Sequence, residues 1–339
     1  MAEGFRGRRG FRGYAEYLRA KYGAPAYRVA VDAGFGCPNR GPDRGNPGCL
    51  YCDERGALAP YQEAAAAGPP DAPGSLEQRL ASIRRQVERG TAFLRRRYGA
   101  EIFLLYLQAF SGTHAPAAEL AGIYDFALAC GRFRELIVST RPDCVDPERA
   151  ELLAGYRRRG LEVWVELGLQ SGCDATLARV RRGHTVADFT RAFGQLRKTG
   201  VRLAVHLIFG LPGEGLEQIL DTVRLVAGLQ PEGVKIHNLH VPRDSPLAAE
   251  HLAGELVAPC AARHLEYVLR SLELLPPRTL ILRLTCDTPG QRLAAPRGFP
   301  PKAEFYRQVR AALAARGSWQ GRLWQPPLSG RASEPPEKW

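Results

Sequence analysis

The chain has 339 residues, of which 45% are hydrophobic and 24% charged, so it can bury the core of one large domain or two ordinary ones. This composition excludes a mini-protein and a disordered chain. The chain has no run of about 18 apolar residues, and its Arg- and Gly-rich start lacks the apolar stretch of a signal peptide. We therefore expect a cytoplasmic, enzyme-sized protein without a membrane partner.

The charge has two explanations. The formal net charge is +12, which is typical of proteins that bind polyanions such as nucleic acids. Only five of the 47 basic residues are lysines, and the chain has a single methionine. Because coding bias also produces such an arginine excess, the charge alone leaves nucleic-acid binding open.

In chain order, the first predicted strand, at 27–32, leads into a loop that holds three of the eight cysteines. A helix is predicted from the N-cap Ser75 to about Tyr98. Short apolar runs then alternate with helical patterns, at 102–108, 136–140, 161–167, 201–209 and 234–241. This alternation indicates a parallel sheet covered by helices. Six such units predict an α/β fold, a partial (β/α)6 TIM-like barrel whose active site lies at the carboxyl ends of the strands.

The pattern changes after Pro246. A helix near 260–274, a strand at 279–285 and a helix near 302–316 predict a smaller C-terminal α+β extension. We divide the chain into a basic arm and lead-in (1–26), a core (27–245) with a cysteine loop (34–53), an extension (246–316) and a Pro- and Arg-rich tail (317–339). The sequence leaves open whether the tail packs on the barrel, and it leaves the oligomeric state open.

The cysteine loop contains Cys37, Cys49 and Cys52 in the spacing Cys-x11-Cys-x2-Cys. In a reducing compartment such a cluster indicates metal binding, since the other five cysteines are scattered singly. A structural zinc site normally closes with four protein ligands, and no fourth Cys or His lies nearby in the sequence. Three thiolates can instead hold a [4Fe-4S] cluster with one iron open to an outside ligand. The cluster is the favoured interpretation, with zinc and ordinary cysteines as alternatives.

A series of segments in order carries a family resemblance. The chain resembles radical S-adenosylmethionine (radical SAM) proteins, in particular the uncharacterised bacterial Fe-S oxidoreductase family related to the Elp3 group. The longer first cysteine gap resembles that narrower family, because the common radical SAM spacing is C-x3-C-x2-C. The resemblance covers nearly the whole chain and implies a [4Fe-4S] cluster and SAM as cofactors. The segments are DAGFGCPNR, YLQAFSGTHAP, STRPDC, VELGLQSG, RRGHT, HLIFGLPGE, KIHNLHV and RLTCDTPG.

The resemblance implies SAM contacts after the second and fourth strands. Ser111, Gly112 and Thr113 resemble the Gly-rich motif whose backbone contacts the methionyl amino group of SAM. Gln170 and Arg182 match a strand-end Gln and an Arg twelve residues later, which contact SAM in oxygen-independent coproporphyrinogen oxidases.

Four further residues are implied as cofactor contacts. Glu166 lies on the fourth strand, where it could instead pair with an arginine. His206 stands where the coproporphyrinogen oxidases have a ribose-binding Asp, so a ribose contact and a satisfied core histidine both remain open. Ile208 and Gly210 belong to a segment that resembles the adenine-packing part of the superfamily.

Candidate catalytic residues lie on the sixth strand and beyond. Alternate strand residues point to opposite faces, so Lys235 and His237 share one face while Asn238 and His240 share the other. We favour Lys235 and His237 as proton donors or acceptors beside the substrate. Cys286 is a third candidate, although the family usually has Gly there and a lone cysteine is more often a small hydrophobe. The cysteines without an assigned role are Cys130, Cys144, Cys173 and Cys260.

The implied enzyme cleaves SAM reductively to a 5′-deoxyadenosyl radical, which abstracts hydrogen from a substrate. A reductant such as flavodoxin or ferredoxin is the expected partner. The Elp3 kinship, the charge and the arm arginines favour the wobble-uridine side chain of a tRNA as substrate; the arm residues are Arg6, Arg8, Arg9 and Arg12. The likeness to coproporphyrinogen oxidases favours a small metabolite or cofactor precursor. A zinc- or cluster-binding module without turnover is the third hypothesis.

Overall fold

The computed structural model describes residues 10–40, 48–52, 60–62, 75–286 and 288–326. Within these ranges the β-strands are β1 (Ala26–Asp32), β2 (Ile102–Gln108), β3 (Phe133–Thr140), β4 (Glu162–Gln170), β5 (Arg202–Phe209), β6 (Gly233–Asn238), β7 (Val241–Pro242), β8 (Leu280–Arg283) and β9 (Leu293–Ala295). The α-helices are α1 (Tyr14–Tyr22), α2 (Leu76–Tyr98), α3 (Ala117–Ala129), α4 (Pro147–Arg158), α5 (Asp174–Arg179), α6 (Val186–Lys198), α7 (Leu216–Leu229), α8 (Leu247–Leu252), α9 (Ala261–Leu274) and α10 (Lys302–Ala315).

The main sheet has the strand order β1-β2-β3-β4-β5-β6-β8, and every neighbouring pair is parallel. The predicted α/β partial barrel is therefore confirmed, with the six predicted strands as β1 to β6. The sequence assigned β8 to the extension, but β8 pairs with β6 and becomes the seventh strand of the same sheet. Gly233 makes room for it, because a Cβ there would collide with Leu282.

The two faces of the sheet bury different side chains. The convex face carries a large apolar cluster under the helices, to which Val29, Leu105 and Val138 belong. The concave face carries a smaller cluster in which Trp164 packs with Tyr14 of α1. Helix α1 therefore packs against the inside of the sheet near the amino ends of its strands.

Helix α2 begins where its sequence predicts. The Ser75 hydroxyl accepts a hydrogen bond from the Gln78 backbone N–H, and the Gln78 side chain accepts one from the Ser75 N–H. This capping box satisfies two of the free N–H groups at the helix start. Gly99 ends the helix in the left-handed conformation, with φ of 62°.

Part of the predicted tail packs on the barrel. The buried Gln320 donates from its amide to the carbonyl oxygens of Pro276 and Thr279, and its Oε1 accepts from the Arg12 backbone N–H. The tail beyond 326 lies outside the described residues. No helix in the described ranges is long and apolar enough to cross a membrane.

Candidate functional site

The three loop cysteines lie beyond the carboxyl end of β1. Cys49 is buried, whereas Cys37 and Cys52 are half-buried. A tight turn joins the last two, since the Cys52 N–H donates to the Cys49 carbonyl at 2.9 Å. Residues 41–47 and 53 of the predicted loop lie outside the described residues.

Cys49 lies among hydrogen-bond donors from three different segments. Its Sγ is 3.4 Å from Asn39 Nδ2, 3.7 Å from Arg182 Nη1 and 3.9 Å from Arg141 Nη1. A hydrogen bond from Cys52, together with the charges of both arginines, holds the pKa of Cys49 well below its usual value although burial opposes this. The thiolate, which is the metal-binding form of cysteine, is thus favoured here.

The donor set fits an iron–sulfur cluster. Among the described side chains, no three His, Cys, Asp or Glu residues converge on one point, as the ligands of a single zinc ion must. A four-iron cluster needs a different arrangement, because each thiolate binds its own iron atom. In addition, Arg182 Nε is buried and has no hydrogen-bond partner in the described chain. Cysteine thiols and an unsatisfied guanidinium nitrogen are therefore available to a bound group.

The Gly-rich motif after β2 is fixed beside this loop. The Ser111 N–H donates to the Gly36 carbonyl at 3.0 Å, and Ser111 and Thr113 are buried. The Gly112 N–H donates to the Ser139 carbonyl at 2.7 Å, and a Cβ on Gly112 would lie only 2.9 Å from that oxygen. Glycine is therefore required for this close approach to the end of β3.

At the end of β4 the structure brings Gln170 and Arg182 together. Arg182 Nη2 donates to the Gly168 carbonyl at 3.0 Å, and a Cβ on Gly168 would lie 2.7 Å from both Arg182 Nη2 and Gln170 Nε2. Gln170 itself adopts a φ of 74°, at a shift in the pairing of β4 with β5. Gln170 and Arg182 therefore lie next to each other at this irregular strand end, and Arg182 also reaches Cys49.

The predicted adenine segment follows β5. Ile208 is half-buried and packs against an apolar cluster beyond the strand ends. Gly210 has a φ of 86°, and a Cβ there would collide with Pro259. Both the backbone conformation and the contact with Pro259 therefore require glycine at this position.

Glu166 lies in the barrel interior and is fully buried. Its carboxylate accepts hydrogen bonds from Arg28 Nη1 at 2.6 Å, Tyr106 Oη at 2.7 Å and Lys235 Nζ at 2.8 Å. His206 Nε2 lies 2.7 Å from the same carboxylate. Burial raises the pKa of Glu166, but Arg28, Lys235 and His206 outweigh it and hold the pKa well below the usual range. Glu166 thus pairs with an arginine, and His206 has a partner inside the protein.

The candidate catalytic residues divide into two groups. Lys235 is buried beside Glu166, and the rings of His237 and His206 lie 5.7 Å apart. Burial lowers the pKa of Lys235 to about 7, although Glu166 opposes the shift. Cys286 instead donates its thiol hydrogen toward the Asn238 carbonyl at 3.4 Å. The first group lines the interior, and the second joins the ends of β6 and β8.

Comparison with known proteins decides the family. The profile of the radical SAM superfamily matches residues 34–226, more than half of the chain, and the radical SAM C-terminal domain matches residues 231–315. The chain belongs to the radical SAM superfamily. It is accordingly a radical SAM enzyme, and it uses a [4Fe-4S] cluster and SAM. Enzymes of this family need a reductant.

The radical SAM relatives include proteins of similar length. The chain is 31% identical over 312 residues to the uncharacterized protein MJ0486 of Methanocaldococcus jannaschii, covering 92% of this chain and 91% of that protein. It is 32% identical over 317 residues to YhcC of Escherichia coli, covering 91% and 95%. Human elongator complex protein 3 is 27% identical over 158 residues, covering 45% and 28%.

The fold is also similar to a solved structure. The archaeal Elp3 of Methanocaldococcus infernus superposes with a TM-score of 0.61 at 18% identity, covering 71% of this chain and 60% of that one. This similarity supports the partial barrel described above.

The sequence did not indicate several residues of the candidate site. Asn39 and Arg141 contact Cys49, and both lie in segments that carried the family resemblance, CPNR and STRPDC. Arg28 gave a weaker signal, a single charged residue in the first predicted strand. An arginine inside such an apolar run is typical of an interior ion pair, and this could have indicated a buried carboxylate on another strand.

Proposed function

We propose that Cys37, Cys49 and Cys52 hold the [4Fe-4S] cluster and that Gln170 and Arg182 contact SAM. The observation that carries this proposal is the convergence of separate segments on Cys49. Arg182, twelve residues beyond the end of β4, reaches within 3.7 Å of its sulfur. The Gly-rich motif after β2, Ser111 to Thr113, is hydrogen-bonded to the same loop through Gly36.

When bound, the cluster and SAM supply one-electron reductive cleavage, which yields a radical able to remove hydrogen from an unactivated carbon. The chain's own residues prepare the surroundings. Arg182 and Arg141 favour the thiolate of Cys49 through their charge. Cys49 itself is buried among these groups.

Lys235 and His237 are the groups we propose to hold or move a proton beside the substrate. Lys235 donates to Glu166 and Tyr106, each at 2.8 Å, so its ammonium is held in one position. With a pKa of about 7, the amine can gain or lose a proton near neutral pH. Cys286 remains a further candidate, because its thiol lies at the ends of β6 and β8.

For the substrate we propose a tRNA wobble-uridine side chain, with a flavodoxin or ferredoxin as electron donor. The proposal rests on the Elp3 resemblance, the net charge of +12 and the basic surface of α2. That surface has six exposed arginines, Arg84, Arg85, Arg89, Arg95, Arg96 and Arg97. The arm arginines Arg6, Arg8 and Arg9 lie outside the described residues. Arg12 contacts the protein itself, because its Nη1 donates to the Arg278 carbonyl at 2.9 Å.

A small metabolite or cofactor precursor is the second candidate substrate. The observation that favours it is the size and burial of the polar cluster around Glu166, which lies inside the barrel rather than on its surface. A small molecule can reach such a cluster, as can one uridine side chain that is turned out of its RNA.

Comparison of tRNA nucleosides from a deletion strain and its parent, by mass spectrometry, tests the tRNA proposal. We expect the deletion strain to lose one modified uridine and to regain it on complementation. An unchanged nucleoside profile would reject tRNA as substrate and leave the small molecule.

Iron content tests the cluster ligands. Replacing Cys37, Cys49 and Cys52 by Ala should abolish cluster absorption and iron retention after anaerobic reconstitution, because a cluster held by three thiolates loses its anchors. Cys260→Ala is the matched control, since that thiol is exposed. Full iron content in the triple variant, or one zinc per wild-type chain, would contradict the assignment.

A further inference from the structure

Three basic side chains form a row on the inside of the barrel. His206 of β5 is the Cα partner of Lys235 of β6, which in turn is the partner of Arg283 of β8. Residues paired across neighbouring strands point to the same face of a sheet. A shift in the pairing of β6 with β8 inserts Leu282 and lets Arg283 join the row beside Lys235.

The described residues do not neutralise this row. Glu166 forms ion pairs with Arg28 at 2.6 Å and with Lys235 at 2.8 Å, so one carboxylate already serves two cations. Arg283 forms no hydrogen bond or ion pair with another residue of the described chain. Arg283 is half-buried, so an incoming anion can reach its guanidinium and supply the partner that the described residues do not.

His237 gives a second indication that an anion binds here. Its Nε2 is buried without a hydrogen-bond partner among the described residues. Burial lowers its pKa well below the usual value, and the charges that lower it further all come from basic neighbours, Arg283, Lys235, His206 and His240. A ligand that accepts hydrogen bonds and carries negative charge would satisfy both the imidazole and the guanidinium.

We propose that Arg283 and His237, beside Lys235, bind a carboxylate or phosphate group of the molecule that enters the barrel to react. This inference rests on the proposed radical SAM function and names the chemical class of its substrate. The planar guanidinium of Arg283 offers paired N–H donors that match the two oxygens of either group, and neutral His237 can donate one more hydrogen bond. The group would thus be anchored inside the barrel by its charge.

Calorimetric titration of the anaerobically reconstituted protein tests the proposal, with SAM present at saturation so that the open iron is occupied. The titrants are inorganic phosphate and acetate, with chloride as the ionic-strength control. We expect wild type to bind phosphate or acetate at one site. Arg283→Gln should weaken this binding about tenfold or more, because a charge-assisted pair is lost.

Two matched variants keep the test interpretable. Arg283→Lys keeps the charge but not the paired donors, so it should bind more weakly than wild type and more tightly than Arg283→Gln, an order that loss of the fold would not produce. Arg270→Gln removes an exposed arginine of α9 and should bind the anion like wild type. Binding of equal strength in wild type and Arg283→Gln, or no anion binding by wild type, would overturn the proposal.

A competition arm identifies the source of the anion. If unfractionated tRNA displaces bound phosphate, the group is an RNA phosphate; if it does not, the group belongs to a small molecule. Formation of 5′-deoxyadenosine by wild type is measured on the same preparation. It distinguishes failure of the anion site from failure of the proposed function. Cleavage without anion binding rejects the anion site alone, whereas Arg283-dependent binding without cleavage rejects the proposed cluster and SAM site alone.

Discussion

Two charge networks line the inside of the barrel, and they differ in the balance of positive and negative charge. Near the amino ends of the strands, Lys21 bridges Glu135 and Glu162, and Arg202 contacts Glu162 at 2.9 Å. Two cations thus face two carboxylates. The Tyr22 hydroxyl also donates to Glu135, at 2.6 Å.

Toward the carboxyl ends of the strands, the positive charges outnumber the negative ones. Arg28, Lys235 and Arg283 lie near a single described carboxylate, Glu166. Buried charges that are fully paired can hold a fold together, whereas an excess of one sign is tolerated where a ligand supplies the other. The comparison favours a structural role for the first network and supports the proposed binding of substrate at the second.

Removing the one carboxylate of the unbalanced network should have the largest effect. Glu166→Gln leaves Arg28 and Lys235 buried without a counter-charge, so we expect the free energy of unfolding to fall by about 3–5 kcal/mol. Anaerobic urea denaturation measures it. Glu151→Gln, in an exposed pair with Arg158, should cost about 0.5 kcal/mol or less. Equal losses in the two variants would remove the distinction between the networks.

The pH dependence of stability should report the excess charge. Lys235 has a pKa of about 7 in the folded protein and 10.5 when unperturbed, so the unfolded state binds more protons between these values. Stability should therefore rise with pH across that window, by about 1 kcal/mol per unit from this group. Lys235→Met should remove this contribution and the exposed Lys198→Met should not. Identical slopes in wild type and Lys235→Met would be inconsistent with a buried, poorly compensated lysine.

Substitutions in the balanced network should change the free energy of unfolding least. Their effects should also be coupled. Replacing Lys21 by Met and Glu135 by Gln together leaves Arg202 paired with Glu162. The double variant should lose about 1 kcal/mol less than the sum of the single variants, since both single variants lose the same Lys21–Glu135 contact. A double-mutant cycle by urea denaturation measures this coupling, and strict additivity would mean that the pair is not coupled.

Much of the barrel could be predicted from the sequence, because the strands β1 to β6 are almost continuous apolar runs separated by helices. The Ser75 cap could also be predicted, since its partner Gln78 lies within the same helix turn. The seventh strand was assigned to the extension because its place depends on a contact far along the chain. Gly233 gives Leu282 the room that β8 needs, and no local pattern encodes that.

The candidate site likewise has a part that could be predicted from the sequence and a part that could not. The cysteine loop, the Gly-rich motif and Gln170 could be predicted because each is a short contiguous segment at a strand end. The charge row could not, since His206, Lys235 and Arg283 come from three strands and meet only through their register. A single charged residue in a strand pattern, such as Arg28, can indicate a buried partner, but it does not show which strand carries that partner or how many cations share it.

The yield of 5′-deoxyadenosine from SAM tests the central claim most directly. Anaerobically reconstituted wild type should form it only after reduction, and Cys49→Ala should form none, because Cys49 is the buried thiolate on which Asn39, Arg141 and Arg182 converge. Cys260→Ala should match wild type. No 5′-deoxyadenosine from reduced wild type, or an undiminished yield from Cys49→Ala, would contradict the account.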